Sequence, residues 1–261
     1  MKWQHRTEPP VLPQGERMYT QNYRIADKVF QVTSIHERVQ RYCADYQTEE
    51  PAEYCIEISQ NDIDFETLRE LKCAEREGRP PLNSPDEYRE LLAVYRKIAE
   101  KCPEWDRILF HGSCIAVDGQ GFLFTAKSGT GKSTHTRLWR ELLGEKAVMV
   151  NDDKPILHVS EGGTTVFGTP YNGKHRLGSN ISVPLKALCI LERAAENSIV
   201  RITKGEAYAM LLQQVYRPQD SESMRRTLML IDRLAANTAL YRLGCNMDIS
   251  AAETAYNAMK G

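Results

Sequence analysis

No stretch of this chain is apolar for long enough to cross a bilayer, and Met1-Lys2-Trp3-Gln4-His5-Arg6 lacks the apolar run of a secretory leader, so neither membrane spanning nor secretion is expected. No Cys-x-x-Cys pair occurs among the seven cysteines at 43, 55, 73, 102, 114, 189 and 245. That spacing argues against zinc and dithiol motifs and reads as reduced core residues of a cytoplasmic protein. Net charge is nearly absent as well: 34 Lys and Arg against 35 Asp and Glu leave −1. Without a global basic field, nucleic acid is not an expected partner. Internal repeats and low-complexity tracts are missing too. What is present is 261 residues, 41% hydrophobic and 26% charged, enough for one large core or two modest ones.

Punctuation residues divide the chain. Pro9, Pro10, Pro13 and Gly15 make 7–20 an irregular arm. Tyr23 to Thr33 reads as one strand, and Ser34-Ile35-His36-Glu37 as a capping box opening a helix with Ile35, Val39, Tyr42, Cys43 and Tyr46 on one face. Tyr54 to Ile58 is a short strand, and a charged helix from about Asp62 stops at Gly78. Ser84-Pro85-Asp86-Glu87 starts another helix, with Tyr88, Leu91, Leu92, Tyr95, Ile98 and Cys102 as its buried stripe. Pro103 ends it. This divides the chain into a smaller α+β region over 1–104, read as a lid or recognition region, and a larger α/β region over 105–261.

In the larger region, strands are expected at Arg107–Phe110, Cys114–Val117 and Phe122–Ala126, with Asp118-Gly119 as a hairpin turn. Further strands fall at 147–151, 156–160, 164–168, 187–191 and 199–202, and helices from about 203 complete the chain. Between the strand ending at Ala126 and a helix running to Leu143 lies Lys127-Ser128-Gly129-Thr130-Gly131-Lys132-Ser133-Thr134. This is the pattern of a phosphate-binding loop, or P-loop: glycines let backbone N–H groups turn around phosphate oxygens, Lys132 reaches the β and γ phosphates, and the Ser133 hydroxyl can hold Mg²⁺. The helix aims the positive end of its dipole at the same anion. Ala126 stands where the usual pattern has its first Gly. A purely structural turn has no need of Gly-Lys-Ser-Thr after its glycines, because a half-buried Lys must be paired.

Asp152 and Asp153 end the next apolar strand, at the carboxyl edge that also carries the loop. One carboxylate there can bind Mg²⁺ and the other can accept a proton from an attacking hydroxyl. His111-Gly112 closes another strand and can sit beside phosphate. Between Gly168 and Arg176 a loop holds Lys174, His175 and Arg176, of which Lys174 or Arg176 can neutralise charge on a transferred phosphoryl group.

From His111 to about Arg193 the chain resembles the catalytic C-terminal domain of HPr kinase/phosphorylase, on His111-Gly112, the 128–133 loop and Asp152-Asp153 in that order and at similar spacing. The Ser-Gly-Thr-Gly-Lys-Thr-Thr loop and later Asp-Asp of ATP-dependent phosphoenolpyruvate carboxykinases are similar too. The resemblance covers about a third of the chain. It implies a P-loop core with a mixed sheet and an ATP- and Mg²⁺-dependent kinase acting on a serine hydroxyl of a protein or peptide. It also implies a possible homo-oligomer, Lys132 and Ser133 on the nucleotide phosphates and metal, and His111 beside the transferred group. Asp152 is favoured as base and Asp153 as metal partner, with the reverse left open. Where that family has Arg-Gly-Leu-Gly preceded by a metal-binding Glu, this chain reads Gly173-Lys174-His175-Arg176-Leu177-Gly178, with no acidic residue. The first hundred residues do not resemble that family's N-terminal domain, which points to a different acceptor. A small-molecule kinase or carboxykinase-like enzyme and a non-catalytic nucleotide-gated module are the alternatives.

Overall fold

The computed structural model describes residues 18–261 and divides into two compact units, Met1–Ile98 and Ala99–Gly261. The expected irregular arm lies outside the described residues up to 17, and from Tyr19 the chain is already strand. In the first unit, β1 (Tyr19–Ile25) and β2 (Lys28–Ser34) form an antiparallel hairpin where one continuous strand was expected. Its turn is Ala26-Asp27, at φ 50° and 58°. Two left-handed residues in succession match the right-handed twist of the flanking strands. The pair carries no glycine, so the usual sequence signal is missing.

The capping box expected at Ser34 does not form. Ser34 ends β2 and its hydroxyl bonds the carbonyls of Tyr19 and His36, while the amides of Ile35 and His36 donate to the buried carboxylate of Glu90 at 2.6 and 2.9 Å. The helix that follows, α1 (Arg38–Tyr42), is correspondingly short. A short β3 (Tyr54–Glu57) pairs parallel to β2. It leads to α2 (Gln60–Glu77), which opens on a Ser59–Asp62 capping box and stops at Gly78, φ 62°. On α3 (Asp86–Lys101) Leu91, Tyr95 and Ile98 are buried as expected, but Tyr88 is exposed. Arg96 is buried on the same helix because its guanidinium pairs with Glu66 at 2.7 Å and Asp62 at 3.1 Å on α2.

The second unit is built on one curled mixed sheet. Its strands are β4 (Arg107–Leu109), β5 (Ser113–Val117), β6 (Gln120–Thr125), β7 (Ala147–Asn151), β8 (Ile156–Ser160), β9 (Gly163–Phe167), β10 (Ser182–Arg193), β11 (Ser198–Arg201) and β12 (Ala239–Cys245). The order is β4-β8-β9-β10-β6-β5-β7, with β12 added to β10 and β11 to β12. Along β10 the start pairs antiparallel with β9. After a register shift between Leu185 and Ala187, the remainder lies parallel between β6 and β12. The helices are α4 (Lys132–Leu143), α5 (Lys204–Gln214), α6 (Ser221–Asn237) and α7 (Ile249–Met259). Only helices were expected beyond 203, so β12 corrects that reading. Its buried residues, Leu240 and Leu243, are three apart and show no alternation.

Side chains alternate across this sheet. Phe122 and Phe124 of β6 face α4 and α7, whereas Leu123 faces the layer containing α5 and α6. Trp139 fills the first layer with its ring centroid 5.1 Å from both phenylalanines, and its Nε1–H donates to His135 Nε2 at 3.1 Å. Burial holds the His135 imidazole down at about 4. A histidine whose folded pKa is depressed must be charged against that burial, so stability falls as pH drops through the unfolded value of about 6.5 and stops falling near the folded one. About 3 kcal/mol is expected from this residue between those limits. Denaturant melts at pH 7 and pH 4.5 should show that share of the loss disappearing in His135→Gln, whose amide oxygen still accepts from Trp139; an unchanged acid loss would contradict it.

Of the seven cysteines, all free, Cys43, Cys102, Cys114 and Cys189 are buried and Cys55 is exposed, so the core reading holds for four. Among the described residues no helix is long and apolar enough to cross a membrane.

Candidate active site

Strands β6 and β7 both run antiparallel to β5, so the C-terminal ends of β6 and β7 and the start of β5 share one sheet edge. Three segments converge there: the glycine loop after β6, Asp152-Asp153 after β7, and His111-Gly112 before β5. Gly129 at φ 75° and Gly131 at φ 122° adopt backbone that residues with side chains avoid, and the Thr130 amide closes a turn on the Lys127 carbonyl at 3.2 Å. Gly131 is the N-cap of α4 and supplies no capping side chain. The first-turn amides of α4 are therefore left to meet an anion.

The acidic pair is divided in its surroundings. The Ser113 hydroxyl lies 2.9 Å from Asp152 Oδ1, and the Ser133 hydroxyl acts electrostatically on the same carboxylate. Burial holds the Asp152 carboxyl above its ordinary value, opposed by those two hydroxyls and by Arg140, and reinforced by Asp153. Burial acts on Asp153 in the same direction but is outweighed by the His111 hydrogen bond and the Lys154, His111 and Lys132 charges, so Asp153 stays below its ordinary value. His111 Nε2 lies 3.3 Å from Asp153 Oδ1, and Lys154 Nζ 3.6 Å from Oδ2. The Lys132 ammonium is lowered by burial and by Lys154, while Asp153 and Asp152 support its charge. Lys132, Ser133, Asp152, Asp153 and His111 thus form one electrostatic cluster, in which Ser133 acts on Asp152 and His111 on Asp153.

Residues 87–248, well over half of the chain and including this whole cluster, match the family described as SynChlorMet cassette protein ScmC. The chain belongs to the ScmC family. Among solved structures, the Hpr(Ser) kinase/phosphatase from Coxiella burnetii is similar at 12% identity, covering 48% of this chain and 93% of that one with a TM-score of 0.26. No curated protein matches the chain.

In this ScmC-family chain the acidic pair is fixed by residues outside the loop and the pair themselves. Asn151 is fully buried; its Oδ1 accepts from the amides of Asp153 (2.9 Å) and Lys154 (2.7 Å), and its Nδ2 donates to Thr169 Oγ1 at 3.1 Å. The Gly112 amide donates to the Asp153 carbonyl at 3.0 Å, and the His111 amide to the Gln214 carbonyl at 2.7 Å. An Asn directly before two aspartates at a strand end was the one visible signal; Ser113, Thr169 and Gln214 carried none. The 168–178 segment folds back over the end of β7. Gly173, at φ 75°, abuts Asp153, where an added Cβ would come 3.3 Å from the Asp153 Cβ. Lys174, His175 and Arg176 stand exposed on the tip beyond it.

A carboxyl harder to ionise folded than unfolded costs stability at neutral pH, and that cost disappears as pH falls below both of its pKa values. Asp152→Asn should therefore melt higher than the parent at pH 7 and level with it near pH 3, by calorimetry without nucleotide; a lower melting temperature at pH 7 would contradict the burial assignment.

Proposed function

We propose that this chain is a P-loop kinase that uses ATP and Mg²⁺ to phosphorylate a hydroxyl, most plainly a serine of a protein or peptide. The observation carrying this reading is that Lys132, Ser133 and both aspartates meet at one sheet edge in front of a helix N-terminus. Ser128, Gly129, Thr130, Gly131 and Thr134 supply the backbone and first helical turn around the phosphates, and Lys132 neutralises their charge.

The donor set suits Mg²⁺. The Ser133 hydroxyl and the Asp152 carboxylate, neighbours in one electrostatic cluster, are hard oxygen ligands. Among the described residues no three His, Cys, Asp or Glu side chains gather into a cage. Mg²⁺ needs no such cage when phosphates share its coordination. When bound, the ion screens charge between the phosphates. We place Asp152, between the Ser113 and Ser133 hydroxyls, on the metal side and Asp153, beside His111, as the base, the reverse of the order favoured from the sequence.

Asp153 then accepts the proton of the acceptor hydroxyl as that oxygen bonds to the γ-phosphorus, and the bond to the bridging oxygen breaks with its electron pair leaving on ADP. His111 holds the Asp153 carboxylate in place. We assign Lys174 and Arg176, on the tip next to Asp153, to the transferred phosphoryl group, and acceptor recognition to the first unit.

Purified protein incubated with γ-labelled ATP and lysate from its own source tests the reading. Label in a protein or peptide band is the expected result. Label confined to a small metabolite would support a small-molecule kinase instead, and ATP bound without transfer would support a nucleotide-gated module.

A further inference from the structure

We propose that Arg193 is a positioning residue that sets the phosphate-binding geometry of the glycine loop; the proposal rests on the nucleotide reading above. Strand β10 runs parallel to β6 with Ile190 opposite Thr125, so Arg193, three residues on, leaves the sheet level with the loop. Its Nη2 donates to the Gly129 carbonyl at 2.5 Å, and its Nε lies 3.5 Å from the Thr130 carbonyl. One planar guanidinium therefore grips two consecutive peptides from outside. A lysine cannot reproduce that fork.

The loop needs such a fastening. An added Cβ at Gly129 would meet nothing within 4 Å, and one at Gly131 only Thr134, at 3.9 Å or more. Two loosely packed glycines leave the segment many conformations, and ordering them around an anion carries an entropic cost. Arg193 removes part of that cost before the anion arrives. It also acts on the peptide dipole. A cation at the Thr130 carbonyl draws electron density away from the far end of that peptide, the Gly131 N–H, making it a better donor to an anion. The guanidinium starts from a fixed base, because β10 is held between β6 and β12 and the next amide, Ala194, donates to the Cys245 carbonyl at 3.0 Å. Arg193 itself is exposed, so replacing it removes no core.

Titrations of full-length parent, Arg193→Ala and Arg193→Lys with Mg-ATP and with Mg-tripolyphosphate, beside thermal melts of each, test this. Arg193→Ala should bind both probes about tenfold more weakly or worse, the scale of a lost charge-assisted hydrogen bond. It should melt within about 2 °C of the parent, as surface substitutions do. Arg193→Lys should recover part of the affinity. Parental affinity in Arg193→Ala overturns the assignment, as does a loss for ATP that spares tripolyphosphate, since that would mean contact with the nucleoside. A parent that binds neither probe overturns the kinase reading and this one with it; a parent that binds both, with Arg193→Ala binding equally, overturns this one alone.

Discussion

Asp153→Asn should lower the single-turnover rate of phosphoryl transfer by about a hundredfold or more, the usual scale for loss of a general base, while Mg-ATP still binds. The asymmetry follows from its neighbours. Asp153 supports the charge of Lys132, but phosphate oxygens take over that service once the nucleotide is in place. No bound ligand replaces the carboxylate as a proton acceptor. Asp152→Asn should behave differently: with Ser133 left as the remaining protein oxygen on that side, the Mg²⁺ concentration needed for half-maximal transfer rises. If Asp153→Asn transfers at the parental rate while Asp152→Asn fails with an unaltered Mg²⁺ requirement, the two roles are exchanged.

The second large effect is structural. A Cβ on Gly168 would lie 1.9 Å from the Ser179 carbonyl oxygen and 2.7 Å from that of Val150. Both are backbone atoms, so no side chain can swing aside, and the 168–179 segment has to move away from β7. That displacement would break the Gly168 amide bond to the Ile181 carbonyl at 2.9 Å and loosen Thr169, the partner of Asn151 beneath the acidic pair. Gly168→Ala should cost about 3 kcal/mol, the upper range for overpacking. In a chain of this size that is a melting temperature lower by roughly 6–12 °C, with transfer activity lost alongside. Gly205→Ala is the control, because nothing lies within 4 Å of its added Cβ and it sits in the first turn of α5. It should melt level with the parent or slightly above. Equal melting temperatures for the two variants would show that the 168–179 segment yields freely.

What the sequence made legible was local. The glycine loop, the acidic pair after an apolar strand, the Asp118-Gly119 hairpin and the stop at Gly78 each place their signal within a few residues, and each is found where expected. What stayed hidden depended on residues far apart in sequence. Ser34 looked like a helix cap, yet Glu90 takes the neighbouring amides from a helix more than 50 residues away. Strand β12 escaped because it is flanked by β10 and β11, so its partly buried positions follow neighbours and not a period of two. The acidic pair was visible but its division was not. Which aspartate Ser133 acts on depends on how α4 sits against β7, and no spacing encodes that. Arg193 was silent for the same reason, as only the parallel β6–β10 register brings it to the loop.

The most direct measurement is calorimetric titration of ATP into the parent and Lys132→Ala, each with and without Mg²⁺. If the shared sheet edge is a magnesium-triphosphate site, the parent binds ATP in a Mg²⁺-dependent manner and Lys132→Ala binds about tenfold more weakly or worse, the cost of a lost charged partner. Equal affinities in the two proteins, or a parent that takes up no ATP, would contradict it.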